Sequence, residues 1–93
     1  MGRTLRSPGH LALMAALKQA RLDAGLTQTE LAERLKRPQS FVAKYENGER
    51  RIEVVEFVQI VNAIGCDGHA VLGDVVRAET GDDTRWGSSS LYR

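Results

Sequence analysis

The chain has 93 residues, of which 42% are hydrophobic and 27% are charged, a composition typical of one globular domain and unlike that of a disordered chain. No apolar run approaches the roughly 18 residues that a membrane-spanning helix needs, and the single cysteine, Cys66, cannot form a disulfide within the chain. The N-terminus resembles a signal peptide only superficially, because Lys18 and Arg21 interrupt its apolar run and a helical pattern continues. We therefore expect a cytoplasmic protein.

Charge is distributed unevenly along the chain, although the net charge is only +1. Residues 1–51 carry ten Lys/Arg and five Asp/Glu, a balance of +5, whereas residues 52–93 carry three Arg and seven Asp/Glu, a balance of −4. The basic first half could face phosphate groups. The alternative interpretation is a chance segregation of solvated charges.

The first predicted helix follows a flexible N-terminal arm, residues 1–8. Ser7 and Pro8 are typical of an N-cap and of the first helical position. Gly25 follows the helix as a residue suited to a left-handed C-terminal turn. Between them, apolar residues recur on one helical stripe at Leu13, Leu17, Ala20 and Ala24.

Two short helices are predicted next, over residues 28–35 and 39–47. Thr27 and Glu30 fit a capping box at the start of the first. Pro38 separates the two helices, because proline disfavours the helical conformation in the residue before it. Val42 and Tyr45 are the inward positions of the second helix, and the Asn47-Gly48 pair ends it.

Two further helices complete an all-α, compact five-helix fold. Asp67 caps the last of them, and the domain covers residues 9–77. Residues 78–93 are predicted to form a mobile polar C-terminal tail that contains Trp86. The fourth helix carries a wide apolar stripe at Val54, Phe57, Ile60, Val61 and Ile64. The last helix carries apolar residues at Val71, Leu72, Val75 and Val76.

The two short helices, joined by a tight turn and packed under a longer first helix, make a helix-turn-helix. The second helix of such a pair lies in the major groove of DNA with its N-terminal residues against base edges. Gln39, Ser40 and Lys44 supply a polar edge that could read bases, and Val42 and Tyr45 hold the helix on the domain.

The stretch GLTQTELAERLKRPQSFVAKYENGERR resembles the Cro and phage-repressor type of helix-turn-helix domain, also called the xenobiotic-response-element type. The resemblance covers roughly residues 10–76 and depends on spacing over about fifty residues rather than on one short motif. The matching residues are Gly25-Leu26-Thr27-Gln28, Leu31-Ala32, Ser40, Val42 and Tyr45-Glu46-Asn47-Gly48.

The resemblance implies a role for individual positions. Gln39 and Ser40 match the main base-reading positions, and Lys44 matches a further one on the same face; glutamine suits adenine and lysine suits guanine acceptors. Gln28 resembles a residue that touches phosphate and can brace the first residue of the recognition helix. The complete set of implied phosphate or positioning contacts is Thr27, Gln28, Lys36, Arg37, Asn47, Arg50 and Arg51.

Two positions depart from the family pattern. Lys36 stands where the family commonly has glycine, because that turn residue tends to need a positive φ, and a lysine held there costs about 1 kcal/mol. Pro38 stands where the family often has a Ser or Thr N-cap, so the third helix is expected to start without a side-chain cap. The departures affect the expected base contacts and leave the predicted fold unchanged.

Neither a metal site nor an active site is predicted. Cys66 and His69 have ligand-like spacing, but a structural zinc site needs four ligands, and His10 lies near the other end of the chain. No nucleophile with a supporting base is evident, so we expect no catalytic activity and no cofactor.

The predicted function is a sequence-specific, DNA-binding transcriptional regulator, a repressor or autoregulator, that binds double-stranded DNA as a homodimer on a palindromic operator. Two alternatives stay open: an antitoxin whose C-terminal tail binds a toxin, and a protein-binding adaptor that uses the same fold without DNA. The last helix would supply the dimer surface through Val71, Leu72, Val75 and Val76.

Overall fold

Five helices follow one another along residues 7–81, which are the residues that the computed structural model describes. The fold is all-α, as predicted, with short connections and the helix-turn-helix at its centre. The helices are α1 (Pro8–Asp23), α2 (Gln28–Leu35), α3 (Gln39–Glu46), α4 (Val54–Ile64) and α5 (Gly68–Thr80). None of the helices in this part of the chain is both long and apolar enough to span a membrane.

Local sequence signals begin and end these helices. The Ser7 hydroxyl accepts the His10 backbone N–H at 3.1 Å, with Pro8 at the first helical position. At α2, the Thr27 hydroxyl accepts the Glu30 backbone N–H at 3.0 Å, while the Glu30 carboxylate accepts the Thr27 backbone N–H at 2.8 Å. The capping box predicted from the sequence is therefore confirmed.

The core lies where α1, α3 and α4 meet beneath α2. Its largest fully buried side chains are Tyr45, Leu17, Leu31, Ile60 and Val42. Phe41 also turns inward, with its ring edge against Tyr45 at a centroid distance of 5.4 Å. Each of the five helices contributes at least one residue to this single buried cluster, so α3 is held on the domain by a shared core.

The long helices α1 and α5 pack against each other and bring the two ends of the domain together. The Gly9 backbone N–H donates to Glu79 Oε1 at 2.7 Å across 70 residues of sequence. Gly9 has no space for a side chain at this contact, because the Glu79 carboxylate lies where a Cβ would stand. The start of α1 therefore depends on a residue near the end of α5.

The structure corrects several sequence-based expectations. α1 begins at Pro8, as the Ser7-Pro8 pair predicts, whereas α5 continues to Thr80, beyond the expected end of the domain at residue 77. Val71 is buried in the core and cannot provide a dimer surface, because it faces inward on α5. Val54, on the apolar stripe of α4, is exposed at the start of that helix. Trp86 and the rest of the tail lie outside the described residues, as does the arm before Ser7.

Candidate nucleic-acid interface

Helix α3 presents a polar face to solvent. Gln39, Ser40 and Lys44 are all exposed, while Phe41, Val42 and Tyr45 on the opposite face are buried. The helix starts without a side-chain cap, as expected at Pro38; instead, the Phe41 backbone N–H donates to the Pro38 carbonyl at 2.9 Å. A proline before the helix therefore leaves the predicted base-reading positions on the outer surface.

The turn between α2 and α3 contains the one residue other than glycine with a positive φ in residues 7–81. Lys36 has φ 60° and ψ 42°, the left-handed conformation that the resemblance to the family implied for this turn residue. The Arg37 backbone N–H closes the turn on the Ala32 carbonyl at 3.0 Å. Lys36 itself is exposed at this turn, close in sequence to the start of α3.

Gln39 is braced by the start of the neighbouring helix. Its side-chain Nε2 donates to Gln28 Oε1 at 2.7 Å, and Gln28 Nε2 donates in turn to Glu46 Oε1 at 2.9 Å. The contact that the resemblance implied between the first residues of α2 and α3 is present. It restricts the rotamers of Gln39, the first residue of α3, before any ligand is bound.

A buried ion pair supports this brace from below. Arg21 Nε donates to Glu46 Oε2 at 2.8 Å and Arg21 Nη2 donates to Glu46 Oε1 at 3.1 Å, with the two side chains 7% and 2% exposed. Arg21 Nη1 also donates to the Leu26 carbonyl at 2.8 Å. The hydrogen bonds to Glu46 raise the pKa of the Arg21 guanidinium. A continuous chain of hydrogen bonds therefore links Arg21 on α1, through Glu46 and Gln28, to Gln39.

Arg37 and Arg50 converge on Phe41 and Glu56. Their Cζ atoms lie 4.2 Å and 4.9 Å from the centroid of the Phe41 ring. Arg50 Nη1 and Nη2 donate to the two Glu56 carboxylate oxygens, each at 2.9 Å, and Arg37 Nη2 donates to Oε2 at 3.1 Å. The Arg50 hydrogen bond and then the Glu53 backbone N–H lower the pKa of Glu56 to about 2.

This cluster changes what the two arginines can contribute to DNA binding. Their side chains remain 36% and 37% exposed, so each guanidinium still has surface to offer a phosphate. However, Glu56 neutralises part of their charge and fixes their position. The remaining predicted phosphate contacts, Thr27, Asn47 and Arg51, are exposed on the surface.

Three residues of this site were given no role by the sequence reasoning: Arg21, Glu46 and Glu56. Arg21 carries a signal that could have been used, because it lies four residues after the core residue Leu17 and therefore on the inward stripe of α1. A charged residue on such a stripe requires a buried partner. Glu46 lies within a matched motif, but its partner 25 residues away is visible only in the structure.

Residues that could bind a metal do not gather in the described part of the chain. Cys66 and His69 lie along the same groove between α4 and α5. Across residues 7–81, no three His, Cys, Asp or Glu side chains meet in a group that could hold an ion. The candidate functional site is therefore the exposed face of α3, whose first residue, Gln39, is held by Gln28.

The arrangement of α2, turn and α3 on a five-helix core defines a helix-turn-helix domain, and comparisons with known proteins give its family. A family model described as a helix-turn-helix domain matches residues 12–72. A solved structure described as an XRE-family like protein from Pseudomonas syringae pv. tomato str. DC3000 is 51% identical. That match covers 72% of this chain and 82% of that chain, with a TM-score of 0.69. A search of curated proteins finds no match. The chain belongs to the XRE/Cro-type helix-turn-helix family.

Proposed function

We propose that the protein is a sequence-specific transcriptional regulator that inserts α3 into the major groove of its operator. The observation that carries this proposal is the exposed face of α3, whose first residue is held by the hydrogen bonds from Gln28 to Glu46 and Arg21. Membership of a DNA-binding helix-turn-helix family supports it. We expect a binding protein without catalytic activity, because the exposed residues of α3 include no activated nucleophile.

Gln39 is suited to adenine in this geometry. One of its two Nε2 protons is used by Gln28, which leaves Oε1 and the other N–H free at the exposed end of the side chain. An acceptor next to a donor is the pattern that pairs with N6 and N7 of adenine in the major groove. Lys44 on the same face offers an ammonium to guanine acceptors, and Ser40 can donate or accept.

We further propose that the cationic and polar residues around α3 bind the phosphates and set the register of the helix. Lys36 would contribute from the turn, while Arg37 and Arg50 would contribute through the guanidinium surface that Glu56 leaves open. Exposed Thr27, Asn47 and Arg51 and half-buried Gln28 complete the proposed phosphate contacts. These contacts add affinity and salt dependence without reading sequence.

Two copies of the domain would bind a palindromic operator, with their α3 helices about 34 Å apart. Because Val71 is buried, we propose that the dimer surface consists instead of exposed apolar residues at the junction of α4 and α5. Val54 is 78% exposed, Val58 is 47% exposed and Leu72 is 49% exposed. Apolar side chains this open in a small domain are typical of an interaction surface.

The test is duplex binding across a salt series, using DNA from the region upstream of the protein's own gene. Wild type is compared with Gln39→Ala/Lys44→Ala on α3 and with Lys18→Ala/Gln19→Ala on the exposed side of α1, which makes the same change in charge. We expect the α3 variant to lose specific affinity and keep salt-dependent non-specific affinity, and the α1 variant to bind like wild type. Folded protein that binds no duplex in low salt would instead indicate a protein-binding adaptor.

A further inference from the structure

A basic pocket of about 600 Å³ lies between the C-terminal end of α2 and the outer face of α4. Three cationic side chains line it from α2 and the turn that follows, and two amide side chains line it from α4. The cations are Arg34, Lys36 and Arg37, and the amides are Gln59 and Asn62. Among residues 7–81, no aspartate or glutamate lines this α2–α4 pocket.

The concentration of positive charge in the α2–α4 pocket is unusual for this chain. Residues 7–81 carry nine Lys/Arg and ten Asp/Glu, a balance of −1, yet three of these nine cations line one concave surface. A concave surface lined by charges of one sign attracts and concentrates small ions of the opposite sign. The pocket is therefore suited to an anionic ligand.

Two of the three cations are held in place by contacts within the domain. Arg34 Nη1 donates to the Ala63 carbonyl at 2.7 Å, one of the carbonyls in the last turn of α4 that have no partner within the helix. Arg37 Nη2 donates to Glu56 Oε2 at 3.1 Å, and its Cζ lies 4.2 Å from the centroid of the Phe41 ring. Because a guanidinium has five N–H donors, each arginine keeps donors that these contacts do not use.

Lys36 gives a second, independent indication of a ligand at this pocket. It is the one residue other than glycine with a positive φ in residues 7–81, with φ 60°. A side chain makes this left-handed conformation unfavourable, and strained residues of this kind cluster at functional sites. A lysine where glycine would fit better therefore indicates that its ammonium group has a use at the pocket.

The α2–α4 pocket also has an apolar part, made by Leu35 and Ala63, which are both half-buried. A flat aromatic ring can lie against such side chains, while the amides of Gln59 and Asn62 offer both a donor and an acceptor to its edge. The volume falls within the range of roughly 300–1,000 Å³ that is typical of small-molecule sites. Cations, amides and an apolar surface together fit a nucleotide.

The α2–α4 pocket opens on a different side of α2 from the side that holds Gln39. Arg34 comes six residues after Gln28, which places the two about 120° apart around the helix. Arg34, Gln59 and Asn62 belong to none of the proposed DNA contacts. The pocket is therefore a separate site that shares only Lys36 and Arg37 with the proposed DNA interface.

We propose that the α2–α4 pocket binds a free nucleotide, with its phosphate groups on Arg34, Lys36 and Arg37 and its base against Leu35 and Ala63. Phosphate oxygens accept from guanidinium groups in bidentate pairs and from an ammonium group as a point charge. A bound nucleotide would occupy Lys36 and Arg37, so it should compete with the operator. This last consequence depends on the proposed function, whereas binding of the nucleotide does not.

Titration calorimetry of the full-length protein without DNA tests the site, using ATP, AMP and adenosine as probes. We expect saturable ATP binding below about 1 mM, weaker binding of AMP, and no binding of adenosine, which brings no phosphate. In NMR spectra of the amide groups, ATP should shift the side-chain signals of Gln59 and Asn62 most. The proposal is overturned if ATP does not bind saturably, or if the largest shifts fall on Gln39 and Lys44, where the polyphosphate would be imitating DNA.

Matched variants locate the binding site. Gln59→Glu adds a carboxylate at an exposed position of the pocket and should weaken ATP binding about tenfold or more. Ala70→Glu, exposed on α5 and outside the pocket, adds the same charge and should bind like wild type. Arg34→Gln should also weaken binding, with Arg77→Gln on α5 as its control. Circular dichroism establishes that each variant is folded. Wild-type affinity in Gln59→Glu would contradict the proposal, even if Arg34→Gln does not fold.

The consequence for DNA binding is measured separately, at equal ionic strength. ATP should displace the operator duplex from wild type and much less from Gln59→Glu. If ATP binds in the pocket but leaves duplex binding unchanged, the nucleotide site is correct and the competition is wrong. Protein that binds ATP in the pocket and binds no duplex would support the nucleotide site and contradict the proposed function.

Discussion

Arg21 and Glu46, the last residue of α3, form an ion pair with two hydrogen bonds, 2.8 Å and 3.1 Å long, inside the domain. Because both side chains are nearly inaccessible to water, neither charge can be left without the other at small cost. The same carboxylate accepts from Gln28, which holds Gln39. One buried pair therefore connects the stability of the domain to the position of Gln39 on α3.

Removing one partner of the Arg21–Glu46 ion pair should lower the free energy of unfolding much more than replacing both partners. Glu46→Ala leaves Arg21 buried and unpaired, and we expect the free energy of unfolding to fall by about 3–5 kcal/mol. Arg21→Met/Glu46→Leu keeps the volume apolar and should recover most of that loss. Urea denaturation of the two variants checks this. A loss below about 1 kcal/mol in Glu46→Ala would mean that water reaches the pair and that the pair is not structurally important.

Lys36 and Gly25 both adopt a positive φ at the end of a helix. Opposite substitutions at the two positions therefore measure the cost of this backbone conformation in opposite directions. Lys36→Gly should raise the free energy of unfolding by about 1 kcal/mol, because the Cβ clash of the left-handed conformation is removed. Gly25→Ala should lower it by a similar amount, because open space surrounds the position and only the backbone conformation is affected. Thermal or urea unfolding measures both changes.

The same lysine variant also reports on DNA binding. If Lys36 contacts a phosphate as proposed, Lys36→Gly should reduce the slope of log K against log salt by about 0.9 while making the protein more stable. A stabilised variant with an unchanged salt slope would show that Lys36 makes no contact with the DNA backbone.

The Tyr45 hydroxyl is buried and has no hydrogen-bond partner among residues 7–81, and burial raises the pKa of this phenol above its ordinary value of 10.0. Tyr45→Phe removes an unsatisfied polar atom and keeps the ring, so we expect stability to rise by about 1 kcal/mol. Above pH 10 the unfolded chain loses its phenolic proton while the folded chain retains it, so wild type should weaken there and Tyr45→Phe much less. Urea midpoints at pH 7 and above pH 10 measure these effects, and a less stable Tyr45→Phe variant would contradict the account.

Glu56 should make the domain sensitive to acid. Its arginine partners and the Glu53 backbone N–H lower its pKa from 4.5 to about 2, so its contribution to stability is complete above pH 4.5 and is lost as the pH falls toward 2. Glu56→Gln should flatten the stability profile in this window. Glu33→Gln, on the exposed side of α2, is the control and should keep the wild-type profile. Equal profiles for the two variants would rule out Glu56 as the acid-sensitive group.

The residues that were predictable from sequence are those whose structure depends on near neighbours. The bounds of α2 and the capping box at Thr27 depend on a few adjacent residues and agree with the structure, whereas the left-handed turn at Lys36 was implied by the resemblance to the family. The resemblance to a known family supplied the helix-turn-helix arrangement.

Long-range packing accounts for what the sequence could not predict. The alternation of apolar residues on α5 does not show which face meets α1, so Val71 was assigned to the surface although it lies in the core. Glu79 lies where the sequence becomes polar, yet α5 continues past it to Thr80, and its carboxylate accepts from the Gly9 backbone N–H 70 residues away. Glu56 attracts Arg37 and Arg50 from two different loops, which no local pattern predicts.

The central claim is that Gln39, held by Gln28, reads a base in the major groove. The most direct measurement replaces each adenine of one operator half-site in turn by 7-deazaadenine, which lacks the N7 acceptor, and compares the affinities of wild type and Gln39→Ala. We expect one position at which wild type loses about tenfold in affinity and Gln39→Ala loses nothing. Equal losses for the two proteins at every position would show that Gln39 does not read the operator.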